Sequence, residues 1–267
     1  MPDYSAIATR MKSYEQRYTD QSCMPLVPML CRIDGKCFHT FTRGMERPYD
    51  KRLSDLMVET AMHLLKETHA NCAYTQSDEM SLCWFTDRED SEVFFGGKAH
   101  KINSVCASIA TAHFNGRLAS VFPDKGPALF DARTWDVPNE TEAANYFVWR
   151  EQDATRNSIS MAAQSVYSPA ELFSKDCSEM QEMLFQKGVN WNDYPAFFKR
   201  GTFIRKRVIE RPFTPEEVAA LPPKHNYFTN PEVVVKRAVV MAEEFPILTT
   251  IVNRADVLLR GADPITD

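Results

Sequence analysis

The feature that most constrains this chain is an apolar run of strand length, Pro25 to Ile33, that stops at Asp34-Gly35. One helix later it is answered by two short strands built around a second aspartate. The run PLVPMLCRI ends where a turn is cheap, because Asp-Gly favours chain reversal. Leu53, Leu56, Met57, Ala61, Leu64 and Leu65 then recur at three- and four-residue spacing, which predicts an amphipathic helix with one apolar stripe. Cys72 to Thr75 and Met80 to Phe85 read as strands joined by the polar tetrad Gln76-Ser77-Asp78-Glu79. A second helix is predicted from about Lys98 to Leu118 and a strand around Ala128 to Arg133, which completes a β-α-β-β-α-β unit of class α+β. Such a unit is an antiparallel sheet with both helices on one face.

That order has a chemical consequence. The strands flanking a β-α-β crossover run parallel, so their C-terminal ends share one end of the sheet. Asp34 ends the first and Asp78 lies in the turn after the second, so two residues distant in sequence are predicted to be neighbours. Bare carboxylates there would repel. A divalent cation resolves the repulsion, and Mg²⁺ favours one or two carboxylates supplemented by substrate phosphates and water. Gly35 has no Cβ, which lets its backbone and carbonyl oxygen approach a metal. Taken singly, Asp-Gly and Ser-Asp-Glu are ordinary turn chemistry; it is their pairing in this topology that points to a metal centre.

The remainder of the chain is read more coarsely. Of 267 residues 44% are hydrophobic and 25% charged, enough to remove roughly three quarters of the unfolded chain's surface from water without disulfides. Cys23, Cys31, Cys37, Cys72, Cys83, Cys106 and Cys177 form no C-x-x-C pair, so they read as reduced, mostly buried thiols rather than a zinc ribbon. The N-terminus lacks a long apolar stretch, so no membrane association and a cytoplasmic location are expected, where the sequon Asn139-Glu140-Thr141 has no meaning. A net charge of −5 creates no global field for nucleic acid. Local RNA candidates are Lys199, Arg200, Arg205 and Arg207 around the strand-like GTFIRKRVI, with a solvated strand face as an equal alternative. Beyond Pro138, helices are predicted over Trp149 to Val166 and from the capping-box pattern at Ser168-Pro169-Ala170-Glu171 to Gly188. Residues Pro212 to Pro231 read as loop, and Glu232 to Phe245 as a last packing helix.

The segments RIDGKCFHTF and YTQSDEMSLCW resemble the tRNA-His guanylyltransferase family and its bacterial, archaeal and phage relatives, the guanylyltransferase-like 3′-to-5′ polymerases. The similarity runs from about Leu26 to Ile209, and WREQDATRNSI and FFKRGTFI resemble the family's W-R-x-x-D and K-G-T segments. The resemblance implies a polymerase-palm, ferredoxin-like catalytic unit over residues 1–137, with helices and strands of 138–267 packed on it. It implies a nucleotidyltransferase that adds nucleotides to the 5′ end of tRNA or similar RNA, using two Mg²⁺ ions and GTP, ATP or other nucleoside triphosphates.

The same resemblance implies that Asp34 and Asp78 are catalytic and bind metal with Gly35. It places Lys36, Cys37, Phe38, His39 and Ser77 around the nucleotide and Lys98 and Lys101 on a triphosphate, with Glu79 in support. Phe38 reads equally as core, and a lone His39 is more often structural than catalytic. A homo-oligomer, typically a tetramer, is implied as well. One departure stands out: where eukaryotic members carry H-I-N-N, this chain has Thr155-Arg156-Asn157-Ser158. The missing histidine favours template-dependent 5′-end repair over strict addition of G to tRNA-His. A nucleotide cyclase and a catalytically silent RNA-binding module remain as alternatives.

Overall fold

Helix α1 (Tyr4–Thr19), absent from the sequence reading, precedes β1 (Met29–Gly35) in a computed structural model that describes residues 4–230 and 232–267. A single helical turn, α2 (Phe38–Phe41), follows β1 directly. Helix α3 (Lys51–Thr68) starts where the Asp50 carboxylate accepts the Arg52 amide, and it buries Leu56, Met57, Ala61, Leu64 and Leu65 along the predicted stripe. The hairpin β2 (Cys72–Gln76) and β3 (Glu79–Trp84) comes next. In α4 (Ala99–Val121), Ala99, Ile102, Cys106, Ala110, Phe114 and Leu118 fall one turn apart and are buried, before β4 (Phe130–Asp136).

Strand β1 pairs antiparallel with β3 on one side and β4 on the other, and β3 pairs antiparallel with β2. Hence β1 and β2 run parallel with β3 between them, the expected β-α-β-β-α-β unit. Alternation sorts the side chains by face. Cys31, Ile33, Met80 and Leu82 meet α3 and α4, whereas Leu30, Cys83, Cys72 and Tyr74 point to the other face.

That second face is covered by the rest of the chain. Helix α5 (Glu140–Gln164) is longer at its N-terminus than predicted, because the Asn139 side chain caps it by accepting the Glu142 amide. It lays Ala143, Ala144 and Phe147 over Leu30 and Tyr74. Helix α6 (Cys177–Gln186) does not open at Ser168. Glu171 does cap a turn there, but Ser174 adopts a left-handed conformation (φ 58°) that breaks the run, and a second capping box, Asp176 with Glu179, starts the helix.

After α7 (Ala196–Arg200) comes β5 (Thr202–Arg211), then the short α8 (Pro215–Ala219) within the predicted loop. The expected helix at Glu232 to Phe245 is instead strand β6 (Val235–Glu243), paired with β5 from Phe203↔Glu243 to Arg211↔Val235. Five valines at 233, 234, 235, 239 and 240 lose rotamer freedom in a helix and suit a pleated strand, and β5 would otherwise leave its ladder open. A closing helix, α9 (Arg254–Arg260), adds Val257, Leu258 and Leu259 to the second face. The sheet order is β4-β1-β3-β2-β5-β6, so residues beyond 138 extend the four-stranded β1–β4 sheet as well as cover it.

Among the described residues no helix is long and apolar enough to cross a membrane. All seven cysteines are free, with Cys31, Cys72, Cys83 and Cys106 buried. Phe114 packs edge to face against Phe38 and Phe130, which tilt against each other, beside the end of β1, with centroids 5.3–5.9 Å apart. Phe114 is fully buried at their centre, so Phe114→Ala is expected to cost about 3–5 kcal/mol in urea denaturation; a loss below about 1 kcal/mol would mean that this cluster does not support the strand end.

Candidate active site

Asp34 and Asp78 meet as the topology requires. Asp34 lies opposite Glu79 in the β1–β3 register, and the Gly35 amide donates to the Asp78 carbonyl at 3.0 Å, so the end of β1 is tied to the β2–β3 turn. Ser77 opens that turn in a left-handed conformation (φ 50°). Burial and the neighbouring Asp34 carboxylate push the Asp78 carboxyl above its ordinary range, while hydrogen bonding from Ser77 and the proximity of His39 pull the other way. Gly35 is required by packing: a Cβ there would stand 2.3 Å from the Phe38 ring. Phe38 is thus a core residue, 3% exposed, that also borders the site.

Beside the carboxylates opens a cavity of about 430 Å³, within the size range of small-ligand sites. One wall is the segment from Phe38 to Ser54, which Lys125 pins by donating to the carbonyls of Phe41 and Arg43 at 2.7 Å each. Gln76, Ser77 and Asp78 form its floor, and Asn157, Ser158 and Met161 of α5 the opposite wall. Tyr49 closes one side against Phe198, with ring centroids 4.7 Å apart.

The family model described as tRNAHis guanylyltransferase (Thg1) matches residues 8–138. A probable tRNA(His) guanylyltransferase of Drosophila melanogaster is 30% identical over 215 residues, spanning 74% of this chain and 73% of its own. Among solved structures, a bacterial Thg1-like protein in complex with GTP is 34% identical, with TM-score 0.72, and the match covers 91% of this chain and 94% of that one. A bacterial Thg1-like protein in complex with ATP is 40% identical, also with TM-score 0.72, over 75% and 87% of the two chains. The chain belongs to the tRNAHis guanylyltransferase family.

This family member is accordingly a nucleotidyltransferase, and its acidic end can be read in that light. Among the described residues no three His, Cys, Asp or Glu side chains converge as a metal-binding set. Glu79 explains part of this: it is 7% exposed and turned into a bidentate pair with Arg150, at 2.7 and 2.8 Å. Burial, aided by Asp34, raises the Glu79 carboxyl to about 6 against the pull of Arg150 and Arg32. His39 is exposed and borders the cavity, as does Ser77. Of the loop's backbone amides, that of Gly35 is spent on Asp78 and that of Lys36 on Leu129, so neither is open to a nucleotide.

Two predicted groups are not brought to the site. Lys98 and Lys101 are exposed at the start of α4, where Lys98 bridges to Ser22 and Lys101 lies over the Phe95 ring. Strand β3 runs away from Asp34 to end opposite Met29, so α4 begins at the far end of the sheet and returns. Lys98 precedes Phe114, which touches Phe38, by roughly 24 Å of helix. The basic strand is likewise committed elsewhere. Arg205 is 3% exposed and bonded to Glu243 and to the carbonyls of Val257 and Ala262; Arg207 pairs with Glu243 and Asp263. Lys199 donates to the Asn192 carbonyl, and Arg200 stands close enough to Glu151 to oppose in part the burial that raises that carboxyl. Sequence reasoning missed Arg150 and the cavity wall of α5, whose only signal was the W-R-x-x-D resemblance.

Because burial and Asp34 raise the Asp78 carboxyl, its protonated form is the one the fold prefers. Its stabilising contribution is therefore complete at acid pH and is lost as pH rises through the elevated pKa. In EDTA at pH 7, Asp78→Asn is expected to raise the melting temperature by on the order of 2 °C, a gain that fades near pH 4; a lower melting temperature would contradict the electrostatic reading.

Proposed function

We propose that the chain is a Mg²⁺-dependent nucleotidyltransferase that adds nucleotides to the 5′ end of tRNA or tRNA-like RNA in the 3′-to-5′ direction, repairing truncated ends against a template. The observation that carries this reading is the junction of Asp34 with Asp78, the latter lining the 430 Å³ cavity. The family and the GTP and ATP named for its solved bacterial relatives supply the substrate class.

The donor set fits magnesium. Two carboxylates, one of them strained by the other, offer hard oxygen ligands and leave the remaining positions to phosphates and water. Asp34, Asp78 and the Gly35 carbonyl would hold two ions, which when bound lower the pKa of an attacking hydroxyl and neutralise charge on the leaving group. The hydroxyl is the 3′-OH of the incoming nucleotide, and the electrophile is the 5′ phosphate of the RNA, carried as a triphosphate or as an adenylate. The new bond joins that oxygen to phosphorus as pyrophosphate or AMP departs. Ser77 orients Asp78 by hydrogen bonding to it, Phe38 and Tyr49 give the cavity apolar walls, and His39 stands at its rim as a binding group. In this reading Lys98 and Lys101 reach a triphosphate only from another copy, in the homo-oligomer that the resemblance implies.

A second reading, strict addition of G to tRNA-His, is favoured by the family model and by the relatives' names. Thr155 at the missing histidine's position argues for the broader activity. Two transcripts separate them: a tRNA lacking its first nucleotide with a 5′ triphosphate, and an intact tRNA-His, each with Mg²⁺ and labelled nucleotides. Extension of the truncated RNA by the template-matched base is expected, and Asp34→Ala or Asp78→Ala should each lower it by more than about 10³-fold. Labelling of tRNA-His with G alone would select the strict activity, and near-full activity of either variant would refute the metal assignment.

A further inference from the structure

We propose that Arg150 is a positioning residue of the acidic end: it holds Glu79 turned away from the cation site, so that Asp34 and Asp78 alone face it. This deepens the metal reading above and depends on it.

Four carboxylates crowd this end of the sheet. In the pairing register Asp34 has Glu79 on one side and Asp131 on the other, and Asp78 immediately precedes Glu79. Asp131 is drawn off by Arg133 at 3.0 Å. Glu79 is the more consequential neighbour, because it is buried and adjoins both proposed ligands. Its two oxygens are occupied by the Arg150 fork, Nε to Oε1 at 2.7 Å and Nη2 to Oε2 at 2.8 Å, with Arg32 Nε a further 3.8 Å from Oε2.

The fork is itself fixed. Arg150 is 4% exposed, its Nη1 lies 3.2 Å from Asp153, and its guanidinium stacks on Trp149 at 4.6 Å. A planar, always charged, bidentate group suits this task, whereas a lysine would supply a single point charge. Deleting the guanidinium leaves the buried carboxylate without its two short hydrogen bonds and with only Arg32, 3.8 Å away, beside it, which destabilises its surroundings. Asp34 lies opposite Glu79 in the pairing register and Asp78 adjoins it, so a cation held by those two is a further partner toward which the freed carboxylate can rotate. Such a third acidic ligand would displace the substrate phosphate and water that Mg²⁺ needs there.

The test compares Glu79→Gln, Arg150→Lys, Arg150→Gln and the double variant Glu79→Gln/Arg150→Gln. Mn²⁺ affinity is read by electron paramagnetic resonance in the presence of GTP, kcat and KM for GTP are measured separately, and circular dichroism monitors the fold. Arg150→Gln should change Mn²⁺ affinity by about tenfold or more and lower kcat while KM for GTP stays within about threefold. The double variant, having no stray charge, should regain Mn²⁺ affinity to within about threefold of wild type, and Glu79→Gln alone should hold it there too. Should Arg150→Gln not fold, Arg150→Lys supplies the single-site value.

Loss of Mn²⁺ binding in Glu79→Gln would make Glu79 a ligand and overturn the proposal, as would an unchanged affinity in the Arg150 variant. Undiminished Mn²⁺ binding in Asp34→Ala would instead overturn the metal reading beneath it.

Discussion

Everything at the functional end of this molecule depends on one backbone hydrogen bond, from the Gly35 amide to the Asp78 carbonyl at 3.0 Å. It joins the last residue of β1 to a turn that belongs to another pair of strands, and so converts sequence distance into proximity. Its formation requires the chain to leave β1 without a side chain at position 35, because the Phe38 ring lies where a Cβ would be. Packing and chemistry are therefore one constraint here: the aromatic cluster that stabilises the strand end is also what presses the loop against the carboxylates. A larger residue at 35 would displace Phe38, and with it the wall of the cavity.

The electrostatics carry the opposite sign. Asp78 is buried beside Asp34, and Glu79 is buried behind both, so the folded state holds acidic groups whose carboxyls it raises. Natural folds tolerate such stored repulsion where a ligand relieves it, and titratable groups with environments of this kind cluster at functional sites. The arginines mark the boundary of that region. Arg150 and Arg32 neutralise the carboxylate that faces the interior, and Arg133 the one on β4, whereas the pair beside the cavity keeps its repulsion.

How much of this was readable in advance follows from the range of the forces involved. The helix stripes of α3 and α4, the two strands around Asp78 and the convergence of the aspartates are consequences of periodicity and of connection geometry, and both leave marks in local sequence. The misread strand β6 illustrates the limit. Its valines signal extension, but Ala238, Met241, Ala242 and Glu243 are helix formers, and what decides between them is the ladder offered by β5, a tertiary partner. The same holds for Arg205, whose sequence context suggests an exposed basic strand and whose burial depends on Glu243 and α9 arriving from far along the chain. The cavity is a product of four segments, within 38–54, 76–78, 154–164 and 197–198; their motifs are visible in the sequence, but their convergence is not.

Lys98 and Lys101 show how strand direction governs where a motif lies, because the information needed to place them was present. A hairpin reverses direction, so whatever follows β3 must start at the end of the sheet opposite the Asp78 turn. The crossover helix α4 then spends its length returning, and only its C-terminal third, from Phe114 onward, packs near the site. Basic residues at the start of that helix belong to a different surface of the same chain. Motif position along a sequence and position in space are linked only through strand direction, and the direction of β3 separates these lysines from the carboxylates by the full length of the sheet.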